Sequence, residues 1–363
     1  MRRTLAGRAV RAGIPALALG LTLGVTIASA QEASDDVTYA QDVAPIIQDN
    51  CQVCHQPGSI APMSLMTFEE VRQYAGMVRA KVADRIMPPW HIDRSVGIQE
   101  FKNDRGLTDK EVATVVRWVD GGTPFGDERD LPPPAEFADM YGWQFEEQFG
   151  APDLIVASEP YTLEAQTQDK WFRPVTETGL AEERWVKAIE IRPVGGDTKA
   201  IIHHVLAFLE QEEEESEMSA GRVQTSNRGS MGGPGLFMEW AVGKRGEIFP
   251  DGAGKLMLPE SKIRWEVHMH AIGALVEESY VELGVWFYEK NSDPINRTRL
   301  RMFDARGRSG LDISPGEIAV TQQFHVLRWP TRLENFQPHM HLRGKGMQMT
   351  AVLPDGTNRV LSR

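Results

Sequence analysis

Cys51-Gln52-Val53-Cys54-His55 has the spacing that fixes a haem covalently. Two thiols become thioethers on the porphyrin vinyl groups, and the adjacent imidazole ligates the iron. A tetrahedral zinc site would need a second Cys/His pair at short spacing, and these are the only two cysteines in the chain. For the iron's other axial position the first candidate is Met87, in Ile86-Met87-Pro88-Pro89-Trp90, because flanking prolines hold a loop rigid. Met63, Met66, Met77 and His91 are the alternatives. Met/His ligation raises the potential and suits electron transfer.

Six of the nine histidines fall into three tight groups: His203-His204, His268-Met269-His270 and His339-Met340-His341. Neutral imidazole is the commonest ligand for copper and zinc. In a strand, residues i and i+2 share a face, so each H-x-H pair can chelate one ion. Adjacent His203 and His204 point to opposite faces of a regular strand and reach one metal only if the backbone twists or bulges. A single histidine is more often structural than a ligand, but three clusters in β-rich sequence point to a transition metal. They do not choose copper over zinc or iron. With both cysteines used, a thiolate blue-copper site is excluded, and imidazole with thioether suits copper cycling between Cu(I) and Cu(II).

The elements that must position these groups change character along the chain. A short helix from Val43 to Asn50 leads into the C-x-x-C-H motif. Thr67 with Glu70 forms a capping box before a stripe of Phe68, Val71, Ala75, Val78 and Val82. Thr108 with Glu111 forms another, before a helix that stops at Gly121-Gly122. Three helices around one such motif resemble a small class I cytochrome c, expected over residues 36–127. In that family a methionine in a proline-bearing loop is the second axial ligand. Asp127 to Pro134 is proline-rich, and a stiff linker is expected over 128–152. Beyond it, Trp185–Ile191, Ile201–Leu209, Lys262–His270 and Tyr280–Tyr288 are short β-rich runs between turns, the pattern of a sandwich. Gln211 to Glu215 reads as a solvated acidic loop.

The chain opens as an export signal over residues 1–30: four arginines, an apolar run from Ile14 to Ile27, then Ala28-Ser29-Ala30. No later stretch is long and apolar enough to cross a bilayer, so a periplasmic or secreted protein with no span after cleavage is expected. The whole chain carries a formal charge of −12 and the leader has four arginines and no acid, so the remainder stands near −16. That disfavours nucleic acid and anionic membrane as partners. The cores must hold without disulfides.

Ile202-His203-His204-Val205-Leu206, then Trp265-Glu266-Val267-His268, then Pro338-His339-Met340-His341-Leu342-Arg343-Gly344-Lys345-Gly346 resemble, in order and spacing, the copper type II ascorbate-dependent monooxygenases. That family includes peptidylglycine alpha-hydroxylating and dopamine beta-monooxygenases. The likeness runs from about Asp153 to Arg363. It implies two jelly-roll sandwiches, over 153–295 and 296–363, each carrying one copper across a solvent-filled cleft. By position, His203, His204 and His268 would hold the electron-transfer copper. His339 and His341 would hold the copper that binds O₂ and substrate, and would be the catalytic pair. His270 has no counterpart.

Two departures matter. The family's oxygen-binding copper has a methionine ligand well downstream of the H-x-H pair, whereas the sequence ends 22 residues after His341, and Met347 and Met349 are too near to be its equivalent. The second sandwich is therefore expected to be incomplete, as a fragment or an inactive copy. The peptide-amidating enzyme also has an arginine two residues before that pair, where this chain has Gln337, so peptide C-termini are not the expected substrate.

The expected function is a periplasmic monooxygenase that hydroxylates a C–H bond of a small molecule with O₂, using two coppers and the covalent haem. Electrons would come from a redox protein or small reductant through that haem, with Trp185 and Trp265 as candidate path residues that also read as core. The alternative is a haem and copper electron-transfer or copper-binding protein that oxygenates nothing. A third reading is a haem protein whose β domains recognise a partner.

Overall fold

The computed structural model describes residues 37–363 except 58, 60, 103, 136–141, 213–234, 242, 243, 245, 293, 295, 301–312, 328, 341 and 342. The expected leader, most of the acidic loop and His341 lie outside the described residues. From Val37 to Arg363 the chain forms one unit. β structure predominates, with few helices. Among the described residues no helix is long and apolar enough to cross a membrane.

Helices occupy the N-terminal part. A π-helical turn, Tyr39–Val43, runs into α1 (Ala44–Asn50), whose C-cap is Cys51. The stripe from Phe68 to Val82 divides at Tyr74 (φ −103°, ψ 11°) into α2 (Phe68–Gln73) and α3 (Ala75–Ala83). The packing face survives the break, because Val71, Ala75, Val78 and Val82 are all buried. α4 (Asp109–Asp120) starts at Thr108, and both expected capping boxes are formed. These helices close over Val43, Ile47, Val115 and Trp118, and the Trp118 indole donates to the Pro124 carbonyl at 3.0 Å. Each such apolar side chain, when fully buried, contributes about 1.5–3 kcal/mol relative to exposure.

The strands are β1 (Leu154–Ala157), β2 (Tyr161–Leu163), β3 (Lys170–Phe172), β4 (Val175–Glu177), β5 (Arg184–Val194), β6 (Ile202–Glu210), β7 (Leu236–Ala241), β8 (Gly246–Ile248), β9 (Ala253–Met257), β10 (Lys262–Met269), β11 (Val276–Phe287), β12 (Asn296–Arg297), β13 (Met349–Val352) and β14 (Asn358–Ser362). One sheet runs β1-β11-β5-β9-β12, with β2 on β11 and β8 on β5. The other runs β3-β10-β6-β7, with β4 on β10. They share one core, to which β5 and β11 give Ile189, Ile191 and Leu283, and β6 and β10 give Val205, Ile263 and Trp265. The period-two alternation of β10 puts Ile263, Trp265 and Val267 inward and His268 on the outer face.

Part of the stretch expected as linker is built onto this sandwich. Trp143 and Phe145 pack on Trp286, and the buried Glu190 carboxylate accepts from the Gln144 amide at 2.8 Å. Burying a carboxylate there is tolerable because backbone N–H groups satisfy it. Beyond residue 295 a second sandwich does not form among the described residues. The described residues of 313–340 hold no strand, and Ile318, Val320, Phe324 and Val326 are exposed. Strands there would leave N–H and C=O groups unpaired. The hairpin β13–β14 instead docks on the helical part: Ile98 N–H donates to Leu361 O (2.9 Å), and Asp93 pairs with Arg363 (2.8 Å).

Candidate functional site

His204 and His268 face each other across β6 and β10, in register and on the outer face of the sheet. The register then slips: His268 pairs with His204 but Met269 pairs with Ile202, so His203 is the extra residue of a β-bulge. A bulge re-aims a side chain, and here it turns His203 towards its neighbours. His203 Nδ1 lies 2.9 Å from His204 Nδ1. Two nitrogens on one ion with bonds of about 2.0–2.1 Å stand roughly 2.9 Å apart at a right-angled centre and about 3.3 Å apart at a tetrahedral one. One ligand atom from each of His203, His204 and His268 lies within 4.8 Å of the others.

The surroundings of His268 prepare it as a ligand. Its Nε2 lies 3.2 Å from Asp169 Oδ2, while its Nδ1 is buried without a hydrogen-bond partner among the described residues. A carboxylate on one ring nitrogen fixes the tautomer and leaves the lone pair of the other for a metal. Trp171, in register with His268 on β3, lies parallel to that imidazole, with centroids 4.4 Å apart and planes at 8°, and meets His204 edge-on at 5.1 Å. Neither Asp169 nor Trp171 is evident from the sequence. Burial, helped by the charges of His268, His203 and His339, holds His204 down at about 4. Burial also lowers His268, against the opposing pull of Asp169. Both rings are therefore neutral at pH 7, the form that binds metals.

His339 is exposed, and it lies within electrostatic reach of His204. Its expected partner His341 is outside the described residues. His270, at the end of β10, is not one of the converging rings; its backbone N–H donates to the Ile201 carbonyl at 2.9 Å.

In the helical part, His55 Nδ1 is 3.0 Å from the Met63 carbonyl, so it carries the proton and Nε2 keeps its lone pair. Cys51 and Cys54 are free and half-buried. Burial, with the neighbouring Cys54, pushes the Cys51 thiol up to about 12; burial also raises Cys54, opposed by Arg105. Met87 lines a cavity of about 530 Å³ with Val82, Trp90, Gly106, Leu107 and Val112. The described lining of that cavity includes none of Cys51, Cys54 and His55. Trp90 Nε1 is buried there without a partner among the described residues. Met87, Met77 and His91 are all exposed, whereas Met66 is half-buried and Met63 packs against the helical core.

No family model and no curated protein matches the chain.

Proposed function

We propose that the chain is an exported, copper-dependent monooxygenase. His203, His204 and His268 hold an electron-transfer copper, and His339 with His341 belongs to the copper that meets O₂ and a small substrate. A c-type haem on Cys51, Cys54 and His55, with Met87 as second axial ligand, feeds it. The observation that carries this reading is the bulge at His203, which brings imidazoles from two strands onto one point. Bound there, copper and haem iron supply one-electron steps and O₂ activation for placing one oxygen atom in a C–H bond.

The chain's own residues fit these guests. The Met63 carbonyl holds His55 Nδ1–H and leaves Nε2 for iron. Cys51 and Cys54 are free thiols, available for thioether formation. At the other centre Asp169 holds His268 Nε2, and burial keeps His204 deprotonated with its lone pair available. The helices from Tyr39 to Asp120 suit a class I cytochrome c, and the paired sheets suit the first jelly-roll.

A second reading is a haem and copper protein that passes electrons without oxygenating. The exposure of His339, on a stretch without strands among its described residues, favours it. Metal analysis with an oxygen electrode separates the two. Two coppers and one haem per chain, with O₂ uptake on adding a reductant and candidate substrates, meet the first reading. One copper and no uptake refute it in favour of the second.

A further inference from the structure

We propose that Arg173 is a positioning residue of the histidine centre, clamped by the buried Glu266 carboxylate and acting on His268 through Trp171. The inference rests on the metal-binding reading of His203, His204 and His268 above and adds two charged residues to the support of that centre.

Arg173 follows β3 directly, two residues after Trp171. Its guanidinium carbon lies over the Trp171 ring, 5.2 Å from the centroid, within the range of a cation–π contact. The same indole lies parallel to His268 at 4.4 Å and 8°. β3 has only three residues and stands at one end of its sheet, so its backbone pairing gives the indole little hold. A contact from the same segment supplies it.

Glu266 accounts for where Arg173 stands. It lies on β10, two residues before His268, and alternation puts both on one face of the strand. Its side chain is 8% exposed, and a carboxylate buried in a sheet face is costly unless cations meet it. Two do: Arg264 Nη1 donates to Glu266 Oε1 at 2.8 Å, and Arg173 Nε stands 3.8 Å from the same oxygen. Arg264 is committed elsewhere as well, to Glu210 at 2.9 Å and over the Phe208 ring at 4.0 Å. The carboxylate thus places the Arg173 guanidinium, the guanidinium steadies the indole, and the indole sets the plane of His268. That imidazole is one of the three that offer ligand atoms within 4.8 Å of one another.

Charge and stacking predict opposite signs here. A guanidinium near a bound cation repels it, so on charge alone its removal strengthens metal binding. Acting through the indole, its removal weakens binding.

The test uses the full chain and Cu(II) in competition with a chelator. Arg173→Gln weakens copper binding about fivefold, the scale of a lost cation–π contact. In a Trp171→Ala background the same substitution changes affinity by less than about 1.5-fold, because the residue that transmits it is gone. In metal-free protein, NMR of the His268 ring protons, assigned with His268→Gln, reads the stack directly. The shift that the indole ring current imposes on them falls in Arg173→Gln and in Glu266→Gln. Unchanged or tighter copper binding in Arg173→Gln overturns the inference. Equal losses with and without Trp171, or a His268 shift that neither variant moves, overturn it as well. Wild-type protein that takes up no copper at His203, His204 and His268 defeats the metal reading itself, whereas a wild type that binds copper as tightly as Arg173→Gln defeats this inference alone.

Discussion

Trp171 and His268 lie face to face, 4.4 Å apart at 8°, on adjacent strands that hold them in register. Asp169, two residues before Trp171, takes the far nitrogen of the same imidazole. One short segment thus sets both the plane and the tautomer of a candidate metal ligand. Partners of this kind typically contribute 10–100-fold to metal affinity. Asp169→Ala is expected to weaken copper binding by roughly that factor, and Trp171→Ala to weaken it more than Trp171→Phe, measured by competition with a chelator. Copper titration should also quench indole emission less in either Trp171 variant than in wild type. Equal affinities in wild type and Trp171→Ala would remove the tryptophan from the site.

Acid should destabilise the metal-free protein through His204. An unfolded histidine titrates near 6.5, whereas burial holds His204 at about 4 in the fold. Between those values the unfolded chain binds more protons, so stability present above pH 6.5 is lost as pH falls towards 4. The loss from this residue is at most about 3 kcal/mol. Urea unfolding across pH 7 to 4 should show the slope, and His204→Gln should flatten it. Identical slopes in both proteins would contradict the assignment.

The Thr108 box makes a prediction about stability alone. Thr108 Oγ1 accepts from the Glu111 N–H at 3.2 Å, and the Glu111 carboxylate accepts from the Thr108 N–H at 2.7 Å. Thr108→Ala should cost about 1 kcal/mol in chemical denaturation, with copper affinity unchanged, because α4 is remote in sequence from the histidines.

These cases show which kinds of feature the sequence discloses. Capping boxes are local, so Thr67 and Thr108 could be read directly. The requirement for a twist or bulge at His203-His204 followed from strand geometry, and the slip opposite Met269 is its realisation. Asp169 was not legible because its partner is 99 residues away and β3 is too short for a period to emerge. The break at Tyr74 leaves the apolar stripe in phase and so gives no signal. The docking of Leu361 and Arg363 on the segment from Asp93 to Ile98 depends on contacts distant in sequence that no motif announces.

The most direct test of the account is copper retention by equilibrium dialysis of wild-type protein against the triple variant His203→Ala, His204→Ala, His268→Ala. X-ray absorption on the copper-loaded samples reports the ligands. The account predicts that the variant loses one equivalent of copper, together with a set of three imidazole nitrogens at about 2.0 Å, while its fold by circular dichroism stays intact. Equal copper content and the same ligand set in both proteins would contradict it.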